Sequence, residues 1–268
     1  MDATDISSPF GNEPLREVPL PRAPLERVIA QVRFPKEPVL GTEDGAGAVR
    51  ARLKARYPIL REEPQIEVTV TAAGATQRAS GVLWRLHDTS AAWQVSVTST
   101  FVALDTSAYE SRTDFCKRLG EVLAAISEVA APVVYDRVGV RYIDRVTDEA
   151  LLGRLPELVQ PEILGAMAVL TPVGVDLLHA LTEAVFQFEA GQLVSRWGML
   201  PANATVEPTL DPVAVRSWIL DIDAATSEVG EFDVKALTAL AQAHAERVYR
   251  FFRWAVTDDF LRAHGGDI

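Results

Sequence analysis

One cysteine, four histidines, three methionines and four lysines are all that 268 residues contain of these types. A single thiol, Cys116, excludes an internal disulfide, and its place near the apolar side of an expected helix reads as a small buried side chain. His87, His179, His244 and His264 stand singly. With no His-x-x-x-His and no Cys-x-x-Cys, the ligands a metal needs are not gathered, so neither a metal site nor a cofactor is expected. Long apolar runs are also missing. The apolar-rich stretch from Leu151 to Leu181 is broken by Arg154, Glu157, Glu162 and Asp176 and by Pro156, Pro161 and Pro172, which excludes a membrane-spanning helix there. The first residues include Asp2 and Asp5 and lack a basic segment followed by an apolar one, so no secretory signal is expected and the cytoplasm is the expected compartment. Gly-x-Ser-x-Gly is absent, as is a local catalytic cysteine signature. Gly45-Ala46-Gly47 precedes a helix but lacks a third glycine and any Gly-Lys-Ser/Thr, and it reads as a helix entry rather than a phosphate loop. No catalytic residue is nominated. His244 falls on an apolar helix stripe, which suits a buried, hydrogen-bonded imidazole.

Charge is uneven. Of 26 basic residues 22 are arginine, a bias that suits planar, multidentate contacts and that GC-rich coding also produces. Residues 1–146 carry 18 basic and 19 acidic side chains and residues 147–268 carry 8 and 18, so the second half holds −10 of the net −11. Such a chain repels phosphate backbones, and no nucleic-acid or membrane partner is expected.

The most informative stretch is Val133 to Val146, which alternates like one long strand. One face carries Val134, Asp136, Val138, Val140, Tyr142, Asp144 and Val146. The other carries Tyr135, Arg137, Gly139, Arg141, Ile143 and Arg145. A row of arginines at every second residue needs anions. Either Asp221, Asp223 and Glu189 on neighbouring strands supply a structural ladder, or Arg137, Arg141 and Arg145, with the Tyr135 hydroxyl beside them, bind an external carboxylate or phosphate, Gly139 leaving room for the incoming group.

Around it the chain reads as α+β. Residues 1–19, with Ser7, Ser8, Pro9, Gly11, Asn12, Pro14 and Pro19, read as a disordered tail. A strand follows with Val28, Ala30, Val32 and Phe34 inward, then a short helix over 48–57, strands over 66–71, 82–87 and 92–104, and a long helix from a capping box at Ser107 and Glu110 to about Ala130. Trp84 and Trp93 are expected as a cross-strand pair. The second half repeats the order. It has the Val133 strand, short helical pieces, a strand over 175–189, a turn at Ala190-Gly191, strands over 192–200 and 216–223, and a long helix over 233–256 striped by Leu237, Ala241, His244, Val248, Phe251 and Phe252. Two similar β-α-β-β-β-α units, residues 20–132 and 133–268, with antiparallel sheets each packed by a long helix, are the expected architecture.

The segments Ala23-Pro24-Leu25-Glu26-Arg27-Val28-Ile29-Ala30-Gln31-Val32-Arg33-Phe34 and Arg137-Val138-Gly139-Val140-Arg141-Tyr142-Ile143-Asp144 together resemble a sporadically distributed family of uncharacterised bacterial proteins of about this length. The resemblance covers roughly residues 20–260 and implies no activity. Asn commonly follows the Arg-Tyr-aliphatic triplet in that family, where this chain has Asp144, so a role needing a neutral amide is not carried over.

The sequence favours a non-enzymatic binding or adaptor protein with a protein partner. The alternative is a sensor of a small anionic ligand held between sheet and helix. An enzyme with no recognisable motif comes third.

Overall fold

The computed structural model describes residues 8–11, 15–71, 74–169, 175–206 and 210–268. Ser7, Asn12 and Pro14 of the expected tail, and Pro172, lie outside the described residues. In chain order the elements begin with β1 (Leu25–Arg33), α1 (Glu43–Leu53), β2 (Ile59–Thr71), β3 (Gly74–His87), β4 (Trp93–Val97), β5 (Phe101–Thr106) and α2 (Arg112–Ala130). Next come β6 (Val134–Tyr135), β7 (Arg137–Val146), and three one-turn helices, α3 (Glu149–Leu152), α4 (Leu155–Leu158) and α5 (Pro161–Leu164). The chain ends with β8 (Ala180–Phe188), β9 (Gly191–Leu200), β10 (Ser217–Thr226), β11 (Gly230–Glu231), α6 (Val234–Ala255) and α7 (Asp258–Ala263). The protein is mixed α and β with a large antiparallel sheet. Its nine strands run in the order β2-β3-β4-β5-β1-β7-β10-β9-β8, and β11 pairs with β6 separately. Among the described residues no helix is long and apolar enough to cross a membrane.

Two compact units divide the chain: unit I is Arg27–Val140 with Ala225–Ala243, and unit II is Met1–Glu26, Arg141–Ala224 and His244–Ile268. In unit I, β1 lies antiparallel to β5 with Val28 opposite Thr106 and Arg33 opposite Phe101. Val28, Ala30, Val32 and Phe34 are buried, as the alternation predicts. The strand expected over 92–104 is instead a hairpin. Thr98 is fully buried, and its Oγ1 accepts from the backbone N–H of Thr100 and of Phe101, both at 3.1 Å, which reverses the chain between β4 and β5. Trp93 therefore stands opposite Thr106 while Trp84 stands opposite Val97, and the two do not form a cross-strand pair. Trp93 packs on Phe115, with the Arg118 guanidinium 4.0 Å from a ring centroid.

Helix α2 starts later than its expected capping box. Ser111 accepts from the N–H of Asp114 at 3.2 Å, and Ser107 is drawn away because its N–H donates to Ala92. The stripe of Phe115, Leu119, Val122, Leu123 and Ile126 is buried. Helix α1 likewise begins earlier than expected, because Thr42 Oγ1 caps the N–H of Gly45 at 3.1 Å. A Cβ at Gly45 would come within 1.9 Å of the Val39 carbonyl, so this glycine is fixed by a close backbone approach.

In unit II, β8 and β9 form a hairpin with Phe188 opposite Gly191, so the turn is Glu189-Ala190. His244, Val248, Phe251 and Ala255 line the buried stripe of α6. Helix α7, which the sequence did not suggest, is capped by Thr257 through the N–H of Phe260. The Phe260 ring is fully buried 6.2 Å from Trp218 and 5.9 Å from Phe252. Parts of the expected tail are packed. Phe10 lies 4.9 Å from the Phe186 ring, and the N–H of Val18 donates to the Tyr249 hydroxyl at 2.8 Å.

Candidate functional site in the arginine-bearing strand

The stretch Val133–Val146 is two strands in the structure. β6 pairs with β11 and β7 lies beside β1, and between them the N–H of Asp136 donates to the carbonyl of Arg33. Tyr135 goes with β6, opposite Gly230, and its ring lies where a Cβ on Gly230 would be, at 2.6 Å. It joins the small β6–β11 sheet rather than the arginine row. Arg137, in unit I, donates from Nη1 to Gln31 Oε1 at 3.2 Å, and its guanidinium folds over Gly139, where a Cβ would meet Nη1 at 2.7 Å. The space at Gly139 is filled by the protein's own arginine.

Arg141 and Arg145 belong to unit II. Arg141 grips Asp221 on β10 with both arms of its fork, Nε to Oδ1 and Nη2 to Oδ2, each 2.7 Å. Asp221, whose side chain is 3% exposed, also lies 3.4 Å from Arg196 Nη1 on β9. Arg196 Nε in turn donates to Glu183 Oε2 on β8 at 2.6 Å, and the hairpin register sets these two residues opposite each other. Four neighbouring strands thus carry the alternating series Arg141, Asp221, Arg196, Glu183. Such a series satisfies its own charges, and the bidentate arm is its strongest joint. Exposure rises from 3% at Asp221 to 34% at Arg196 and 53% at Glu183.

Arg145 is enclosed. Its Nη1 donates to the Asp211 carbonyl at 2.8 Å and stands 3.4 Å from Glu26 Oε2, while Nε and Nη2 have no hydrogen-bond partner among the described residues. Ile143, Leu200, Leu210 and Ile219 form a buried cluster, and Ala204 and Val206 from the segment after β9 pack on it. Of the other carboxylates named from the sequence, Asp223 is half-buried and partnered. Glu189 is exposed in the β8–β9 turn and has no ion pair among the described residues.

Asp144 is 5% exposed, and its carboxyl makes no hydrogen bond or ion pair with a described residue. Burial, reinforced by the negative charge of Asp221, pushes its carboxyl up to about 7. His244 is 1% exposed, and its Nδ1 lies 3.2 Å from Arg247 Nη1. Burial raises the Cys116 thiol above its usual range. Among the described residues no group of His, Cys, Asp and Glu could hold a metal ion.

Sequence reasoning missed Arg196, Glu183 and the electrostatic cost of Asp144, which alternation had placed on the mostly apolar face. A turn placed at Glu189-Ala190 would have paired Glu183 with Arg196; a turn at Ala190-Gly191 hides the pair, because shifting a turn by one residue moves the register by two. Asp144 had its signal in its neighbours, since alternation sets it on one face with Val138, Val140, Tyr142 and Val146, all buried. Comparison with known proteins finds no matching family model, no matching curated protein and no matching solved structure.

Proposed function

We propose that this is a non-enzymatic binding or adaptor protein of the bacterial family it resembles, acting in the cytoplasm and holding a protein partner on unit II. The observation that carries this reading is an exposed apolar run there, Val175 at 50%, Leu178 at 73%, Leu181 at 40% and Val185 at 59%. Exposed apolar side chains are ordinary when scattered; several in one short segment mark an interaction surface. The bidentate occupation of Arg141 by Asp221 supports the adaptor over an open anion site. Affinity capture from native lysate, with mass spectrometry of proteins and small molecules, tests it. A protein held by the wild type and lost from a Val175→Asp/Leu178→Asp variant that melts normally is the expected result. Capture of a small molecule alone, or of nothing, overturns the reading.

The second reading, a sensor of a small anionic ligand, is favoured by Arg145, whose buried Nε and Nη2 have no partner among the described residues. Phosphate, sulfate or a small dicarboxylate would then raise the melting temperature of the wild type and leave Arg145→Met unmoved.

The duplication of a β-α-β-β-β-α unit over residues 20–132 and 133–268 belongs to the same proposal. Its support is the matching strand order, β3-β4-β5-β1 in one half and β8-β9-β10-β7 in the other, each half ending on a long helix, with β2 as an addition. An experimental structure in which the two halves fail to superpose would overturn it.

A further inference from the structure

β8 is last in the hydrogen-bonded order, so among the described residues one of its edges has no partner strand. It is nine residues long. Every second residue of such a strand turns its N–H and C=O outward, and proteins ordinarily blunt such an edge with lysine, proline, a bulge or a short strand. β8 has none of these, and its one charge, Glu183, is turned to Arg196 on β9. It reads Ala-Leu-Thr-Glu-Ala-Val-Phe-Gln-Phe and pairs with β9 without a break from Ala180 opposite Met199 to Phe188 opposite Gly191. Leu181, Glu183 and Val185 share one face and are all well exposed. Thr182 points to the other face, where a Cβ on Gly165 would lie 3.6 Å from its hydroxyl.

The charge pattern says which strand fits this edge. Across the sheet the series runs cation, anion, cation, anion and stops on Glu183 at the open side. Although Glu183 is paired with Arg196, its carboxylate is the outermost charge and half exposed, so a cation at the next lateral position continues the alternation and an anion is repelled, while the positions opposite Leu181 and Val185 suit apolar side chains. A second copy of this chain fits poorly. Antiparallel self-pairing centred on Ala184 sets Glu183 opposite Val185 and supplies no cation. Residues 147–268 also carry net −10, so two such halves repel.

We propose that the outer edge of β8 takes an extended segment of a partner protein by strand addition, with Lys or Arg opposite Glu183 and apolar side chains opposite Leu181 and Val185. This rests on the adaptor reading and names its partner's chemistry. Main-chain hydrogen bonds supply the affinity, and the central cation selects among apolar strands.

The probe is a short blocked peptide alternating threonine with apolar residues and bearing a central arginine, followed by fluorescence anisotropy with full-length protein. It should bind about tenfold tighter than the same peptide with a central glutamate, the ratio expected when a favourable cross-strand charge pair becomes a like-charge one. Glu183→Gln should bring the two peptides to within about threefold of each other. Val185→Lys, which puts a cation on the edge at an exposed position, should abolish binding while the melt is unchanged. An arginine peptide with its alternate amides N-methylated keeps its side chains but cannot join the sheet, and it should not bind. Equal binding of the two charged peptides, retained binding by Val185→Lys, or binding of the N-methylated peptide overturns strand addition. So does a concentration-dependent dimer in sedimentation that Val185→Lys abolishes, which would give the edge to a second copy. Lysate capture keeps the two readings apart: a partner held equally by wild type and Val185→Lys leaves the adaptor standing and overturns the edge.

Discussion

Arg141 and Asp144 are close neighbours in β7 with opposite electrostatic problems. Arg141→Ala leaves Asp221, nearly buried, with only the longer contact to Arg196. Removing one partner of a buried pair strands the other charge, and a loss of about 3 kcal/mol in urea unfolding is expected. Arg141→Lys should recover only part, because a point charge cannot reproduce the fork. An unchanged midpoint for Arg141→Ala would show that the fork contributes nothing. Asp144 is costly in its charged form. Its carboxyl titrates near 3.8 when unfolded and at about 7 when folded, so the native state binds the extra proton between those values. The favourable contribution is complete below about pH 4 and is lost as pH rises through about 7, by roughly 4 kcal/mol in all. Asp144→Asn cannot titrate and keeps the size of the side chain. The stability difference between Asp144→Asn and the wild type should grow in the variant's favour as pH rises from 4 to 8. Parallel pH profiles for the two proteins would exclude Asp144 as the titrating group.

At the scale of elements, strong periodicity was legible, and the exact place of chain reversals was not. β1, α2 and α6 were readable because each buries one regular face, and regular burial writes a period into the sequence. The β4–β5 hairpin was hidden because Trp93, Val95, Val97, Ser99 and Phe101 continue a strand-like alternation through the turn. The reversal depends on one threonine hydroxyl accepting two backbone N–H groups. Thr98→Ala leaves those donors without their acceptor and should cost about 2 kcal/mol, with faster amide exchange at Thr100 and Phe101. Unaltered exchange at both amides would show that another contact holds the turn. The break between β6 and β7 was hidden for a related reason. Residue alternation persists across Asp136, and the two strands differ in their tertiary partners, β11 for β6 and β1 for β7. The candidate site was legible in half: the Arg141–Asp221 pair follows from alternation and charge, whereas Arg196 and Glu183 needed the exact turn residue. The enclosure of Arg145 depends in part on the segment after β9, whose apolar residues have no period to read.

For the whole molecule the least legible feature is the start of the chain. Serine, proline and glycine in residues 1–19 give no face that a helix or strand could bury, so composition reads as disorder. The described parts instead hold to unit II by single anchors. Phe10 stands 4.9 Å from Phe186 and 6.5 Å from Phe251, and Tyr249 binds the segment twice, accepting from the N–H of Val18 and donating to the Arg16 carbonyl. Further along, a Cβ on Gly266 would meet Val18 Cγ1 at 3.0 Å, and the N–H of Arg22 donates to the His264 carbonyl. One aromatic contact contributes about 1 kcal/mol beyond its burial and one hydrogen bond about as much. Deleting residues 1–19 should therefore cost roughly 2 kcal/mol and lower the melting temperature by about 5 °C. Phe10→Ala alone should account for about half of that loss. In a double-mutant cycle Phe10→Ala and Phe186→Ala should be non-additive, because each removes the same ring contact. Additive losses, or a deletion that melts with the wild type, would show that the anchors do not hold the segment in solution.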